Sequence, residues 1–128
     1  MPTHEPLTPT QLEILQAVWE LGPDGGTAPA IWQQAQKVRE LARTTVLTQV
    51  QRLHRKGWLK RRARGSAVVF RAVCDRSTAE GRLARRFLAD FFAGSAAGFV
   101  KSLLGDGRID RKEIERLRAA IDDAEQGR

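Results

Sequence analysis

The sequence predicts a mainly α chain with a small β-hairpin, built in two parts, and three observations carry that prediction. Apolar residues recur at helical spacing from Leu12 to Ile121, most runs opened by a capping signal, with one pair of strand-like runs among them. Between Leu41 and Val73 there are nine Lys or Arg residues and no Asp or Glu: Arg43, Arg52, Arg55, Lys56, Lys60, Arg61, Arg62, Arg64 and Arg71. The charge texture then changes. Residues 1–74 hold eleven Lys/Arg against five Asp/Glu, a net +6, whereas residues 75–128 hold eleven against ten, a net +1. The division predicts one domain over 1–74 and a second, helical region over 75–128.

The elements follow in order. Thr8-Pro9-Thr10-Gln11 opens the first helix, with Thr8 as N-cap, Pro9 at the first helical position and Gln11 where a capping box needs an amide. Leu12, Leu15, Val18 and Trp19 continue at helical spacing, and Gly22-Pro23-Asp24-Gly25-Gly26 ends the helix in a loop. Thr27 caps a short second helix with Ala28 and Pro29 in its first turn and Ile31, Trp32 and Ala35 facing inward. A polar link over Lys37 to Glu40 leads to a third helix from Arg43 to Lys56, stopped by Gly57. Val46, Val50 and Leu53 share one side of it; Thr44, Thr48, Gln51, Arg52 and Arg55 share the other, with Thr45 at the margin. Leu47 counts with the apolar side chains that fold this basic stretch against a core. Trp58 to Arg64 and Ala67 to Val73 read as two strands around a Gly65-Ser66 turn. Helix, helix, helix, hairpin is the winged helix-turn-helix order.

Beyond Asp75, Ser77-Thr78-Ala79-Glu80 reads as a second capping box, opening a helix with Leu83, Phe87, Leu88, Phe91 and Phe92. Gly94-Ser95 breaks it, Ala96 to Leu104 forms another short helix, and Asp110 with Glu113 caps a last one carrying Ile114, Leu117 and Ile121. Three short amphipathic helices make too thin a layer to close their own core. Phe87, Phe91, Phe92, Leu103, Leu104, Leu117 and Ile121 are therefore expected to form the joint of a homodimer, since most soluble oligomers are two-fold.

A folded, all-positive helix plus hairpin is a surface for phosphates, so double-stranded DNA is the expected partner. Arg43, Thr44, Thr45, Thr48, Gln51, Arg52 and Arg55 are the candidate contacts on the third helix, with Thr44, Thr45, Thr48 and Arg52 reading base edges. Arg61, Arg62 and Arg64 on the hairpin are candidate phosphate contacts, with no acidic residue nearby to pair with them. Lys56 and Lys60 read as solubilising. The alternative is a helical interaction protein whose basic face docks an acidic protein partner; preference for an inverted-repeat duplex over random DNA separates the two. An enzyme is not expected, for no P-loop, HExxH or GxSxG is present. No catalytic residue, cofactor or metal site is expected either. His4 and His54 lack partners at ligand spacing, and an EF-hand register over Asp106 to Glu113 places Ser102 and Leu104 where carboxylates belong. Trp19, Trp32 and Trp58 read as core or core-rim residues and Cys74 as a core-edge one. A lone cysteine excludes an intramolecular disulfide, no apolar run spans a membrane, and Met1 to Glu5 lacks a signal-peptide start, so a cytoplasmic chain without membrane partners is expected.

The ordered set of motifs resembles the BlaI/MecI/CopY family of bacterial winged-helix repressors along nearly the whole length. Leu7-Thr8, Glu13-Ile14-Leu15 and Val18-Trp19 match its first helix. Thr45-Val46, Thr48, Arg52-Leu53 and Lys56-Gly57-Trp58-Leu59 match its recognition helix and exit. Gly65 to Phe70 resembles its wing, and Phe87-Leu88, Phe91-Phe92 and Ile114, Leu117, Ile121 resemble its dimerisation helices. The resemblance implies a homodimeric transcriptional repressor on an inverted-repeat operator. It also implies a sensor or protease partner: in antibiotic-resistance members a membrane sensor-protease leads to cleavage at an Asn-Phe bond in the C-terminal helices. Ser102-Leu103 stands at about that place here. Copper-responsive members carry Cys-x-Cys pairs, which this chain lacks.

Overall fold

Thr8 starts helix α1 (Pro9–Glu20) as the sequence predicts: its hydroxyl accepts from the Gln11 amide at 3.1 Å, and the Gln11 side chain accepts from the Thr8 amide at 3.1 Å. The computed structural model describes residues 6–127; His4 and the Met1 to Glu5 segment lie outside the described residues. After α1 come β1 (Gly26–Thr27), α2 (Ala28–Gln36), α3 (Arg43–Arg55), β2 (Leu59–Arg64), β3 (Ala67–Ala72), α4 (Arg76–Phe91), α5 (Ala96–Gly105) and α6 (Arg111–Glu125). The chain forms two compact units, residues 1–84 and 85–128, and α4 crosses the division.

In the first unit α1, α2 and α3 bury one side each around Ile14, Leu15, Val18, Ile31, Val46, Val50 and Leu53, none more than 1% exposed. Trp58, Leu59 and Phe70 close this core from the sheet side. Trp58 Nε1 is the one buried side-chain nitrogen or oxygen without a hydrogen-bond partner among the described residues. The hairpin pairs Leu59 with Ala72, Arg61 with Phe70 and Arg64 with Ala67, and the Val73 amide donates to the Trp58 carbonyl just beyond it.

Two local expectations change. The stretch expected as a plain loop before α2 supplies a third strand: β1 pairs with β3 through Gly26–Phe70 and Thr27–Val69, giving the antiparallel order β1-β3-β2. Gly25 makes this approach feasible. It has φ +67°, and a Cβ there would lie 1.9 Å from the Phe70 carbonyl oxygen. The start of α4 also moves. The Thr78 amide bonds the Asp75 carboxylate at 2.8 Å, so Asp75, not Ser77, caps the helix. These bonds from Thr78, side chain and backbone, hold the Asp75 carboxyl below its ordinary range. A carboxylate is the stronger acceptor for a free helix amide, which favours the earlier start.

The beginning of α4 belongs to the first unit. Trp19 Nε1 donates to the Cys74 carbonyl at 2.9 Å, Arg76 pairs with Glu20 at 3.0 Å and stacks over Trp19, and Ala79 is fully buried. The second unit differs in kind. Ser95 caps α5 and Asp110 caps α6, each through the amide three residues on. Phe87, Phe92 and Phe99 meet with ring centroids 5.2–5.9 Å apart, and Phe91 lies 5.1 Å from Phe87. Yet no described residue beyond Ala79 reaches full burial.

Gly25→Ala should lower stability by at least about 2 kcal/mol, since it adds a backbone collision to the left-handed strain. Gly65→Ala, at φ +62° with open space around it, should lose only the roughly 1–2 kcal/mol of that strain. Urea unfolding of the two variants measures the difference.

Candidate nucleic-acid interface

Helix α3 is held from below and from both ends. The Trp32 indole donates to the Leu41 carbonyl at 2.7 Å, and the Leu41 amide donates to Gln36 Oε1 at 2.6 Å, which locks the turn between α2 and α3. Buried Gln11 on α1 donates to Gln49 at 3.1 Å. The Lys56 ammonium donates to Gln11 Oε1 and to the Pro6 carbonyl, both at 2.9 Å. Lys56, read from the sequence as solubilising, therefore ties the end of α3 to α1, while Lys60 is exposed.

The outer side of α3 carries Arg43, Thr44, Thr48, Gln51, Arg52 and Arg55, all exposed, with Thr45 half-buried. Arg43 is set apart from the others: its guanidinium lies 4.5 Å from the Trp32 ring centre, so a cation–π contact draws it toward α2. Leu47 departs from the expectation. It stands 45% exposed on the outer side instead of packing with Val46 and Val50. Its spacing, three residues after Thr44 and four before Gln51, already placed it on that stripe.

The three wing arginines do not form one patch, because successive strand residues face opposite ways. Arg61 shares its face with Phe70 and borders a groove of about 710 Å³ between α3 and the wing. To this groove α3 contributes Leu47, Gln51, His54 and Arg55, and the wing adds Val68 and Phe70. The His54 and Phe70 rings meet edge to face at 6.4 Å. Arg62 and Arg64 lie on the other face. There Arg62 and Arg71 line a smaller depression with Pro23 and Asp24. Asp24 corrects the expectation that no acidic residue lies near the wing; β1 brings its loop there. None of Arg61, Arg62 and Arg64 forms an ion pair among the described residues.

Two other acids of the first unit are engaged elsewhere. Glu13 bonds Arg39 at 3.0 Å, raising the Arg39 pKa, and Glu20 holds Arg76. The outer side of α3 and the wing thus keep their charge uncompensated by carboxylates on α3 itself. Hydroxyls, an amide and guanidinium groups are the groups that bond base edges and phosphates. Cys74 is partly buried and its thiol pKa is raised, mainly by that burial, which gives no sign of an activated thiolate. No cluster of three or more potential metal ligands occurs among the described residues.

In the second unit Phe87, Phe91, Leu103, Leu104 and Ile121 are exposed, Phe91 by 70%, while Phe92 and Leu117 are half-buried. No single helix is long and apolar enough to cross a membrane.

A basic recognition-type helix beside a β-hairpin, on a three-helix core, defines a winged-helix DNA-binding protein. Residues 7–123 match the penicillinase repressor family, and the chain belongs to that family. It is a DNA-binding transcriptional repressor and not an enzyme. The chain is similar to the penicillinase repressor of Staphylococcus aureus, with 25% identity over 118 residues that cover 88% of this chain and 94% of that protein. Among solved structures it is similar to the monomeric form of Bacillus licheniformis BlaI in complex with the blaP half-operator. That match has 21% identity, 60% and 92% coverage of the two chains and a TM-score of 0.49. It is similar also to a MarR family protein from Bacillus stearothermophilus, at 19% identity, 96% and 76% coverage and a TM-score of 0.47.

Lys56→Met removes a charged tether between α3 and α1 and should lower stability by about 1–2 kcal/mol. Lys60→Met should stay within about 0.5 kcal/mol of the parent. Thermal or urea unfolding distinguishes the two.

Proposed function

We propose that this repressor binds an inverted-repeat operator as a homodimer, with α3 in the major groove, the wing along the backbone and the second unit as the joint. The observation that carries the dimer is the second unit itself: large apolar side chains lie exposed on it and none of its described residues is fully buried. Burying a large side chain contributes about 1.5–3 kcal/mol, so a few of Phe87, Phe91, Phe92, Leu103, Leu104, Leu117 and Ile121 suffice for association. Joining two heads makes the second half-site engagement intramolecular and raises affinity without new contacts.

Thr44, Thr45, Thr48, Gln51, Arg52 and Arg55 face the bases and nearby phosphates in this reading. Arg43 steadies the start of α3, and Arg61, Arg62 and Arg64 meet phosphates. The place of action is the cytoplasm, where the operator is. A sensor or protease partner for release is implied by the family resemblance; Ser102 and Leu103 lie exposed within α5, so cutting between them requires that turn to open.

Sedimentation of the full-length chain tests the joint: a dimer is expected at micromolar concentration, and a strict monomer overturns it. Arg52→Ala should weaken operator binding by about 1–3 kcal/mol and relax base preference. Alanine at Arg61, Arg62 and Arg64 should instead weaken binding to all sequences and flatten the salt dependence by about one unit per lost phosphate contact. Titrations over a salt series, on an inverted-repeat duplex and on random DNA of equal length, read both effects.

A further inference from the structure

The outer stripe of α3 consists of hydroxyl, amide, guanidinium and, at His54, imidazole side chains, with one apolar exception. Leu47 is 45% exposed, in the middle of the stripe, with Thr44 and Thr48 beside it and Gln51 one turn on. The core does not need it: Val46, Val50 and Leu53 fill the inner side and are essentially sealed from solvent. Helix formation does not need it either, since Lys, Gln or Arg supports a helix about as well. It borders the groove that Arg55 and Arg61 flank with positive charge, so it sits where a nucleic-acid strand would be drawn in.

An isobutyl group offers nothing to a phosphate. On the major-groove edges of the four base pairs there is one apolar group, the C5-methyl of thymine, and apolar side chains are what contact it. The geometry points to Leu47 as a specificity-determining residue that packs on a thymine C5-methyl in the operator. This rests on α3 being the recognition helix. It differs from the hydrogen-bonding roles of Thr48, Gln51 and Arg52, because a methyl contact discriminates thymine without any donor or acceptor.

The test removes the methyl alone. Full-length protein selects duplexes from a random-sequence pool, and each thymine of the selected site is replaced singly by deoxyuridine, which keeps every hydrogen-bonding group. At one thymine per half-site the replacement should weaken binding about four-fold, the equivalent of one buried methylene. Leu47→Ala should bind the thymine duplex more weakly and lose its sensitivity to that replacement. Leu47→Met, which keeps an apolar chain of similar volume, should retain it. A merely structural role for Leu47 leaves the methyl dependence unchanged in both variants and overturns the proposal. So does a parent protein that is insensitive to deoxyuridine at every position, whatever the variants do. If the pool yields no preferred sequence, base reading by α3 fails and the proposal falls with it. A preferred sequence without a Leu47-dependent methyl effect overturns the proposal alone.

Discussion

Val46, Val50 and Leu53 press α3 onto α1 and α2, and the rest of the first unit depends on that contact. The same helix carries Arg43, Arg52 and Arg55 with no carboxylate, and a wing with further arginines follows it directly. Like charges three or four residues apart on a helix destabilise it by only about 0.2–0.5 kcal/mol per pair, whereas each buried aliphatic side chain contributes about 1.5–3 kcal/mol. Burial wins. The basic surface can therefore stay uncompensated and available for a polyanion while the domain remains folded.

Polar contacts then orient what burial holds. Buried Gln11 links α1 to Gln49 and Lys56 of α3, and its side chain also completes the α1 cap with Thr8. A single amide thus joins the capping of one helix to the angle of another. Gln36 and Trp32 perform the equivalent task at the turn before α3, where both bond the backbone of Leu41. A helix with the proposed role of reading bases needs this restraint, since an element already held in place loses less freedom on binding.

The second unit is arranged on the opposite principle. Its charge is nearly balanced and its phenylalanines cluster, but exposure rather than burial is its rule. The start of α4, held by Trp19, Glu20 and Asp75, belongs by contrast to the first unit. An apolar layer of that kind is stable as part of an interface, where a second surface removes it from water.

What the sequence by itself determined is what neighbouring residues settle among themselves. Thr8, Thr27 and Asp110 cap the helices they were expected to cap, Gly65 turns the hairpin, and the 3.6-residue spacing of Val46, Val50 and Leu53 separates the inner from the outer side of α3. An unbroken basic run is likewise visible in one dimension. Tertiary structure decided whatever depends on residues far apart in the chain. Strand β1 is two residues long and exists only because Phe70 and Val69 lie alongside Gly26 and Thr27. Lys56 is a tether because α1 passes within hydrogen-bonding reach, and Asp24 meets the wing because β1 carries its loop there. Leu47 stood in the right stripe from the start, but hydrophobicity alone assigns a leucine to the core; only packing shows that Val46 and Val50 had already filled the space. Local hydrogen bonds and helical periodicity are written over three or four residues, while burial and long-range pairing are properties of the closed fold.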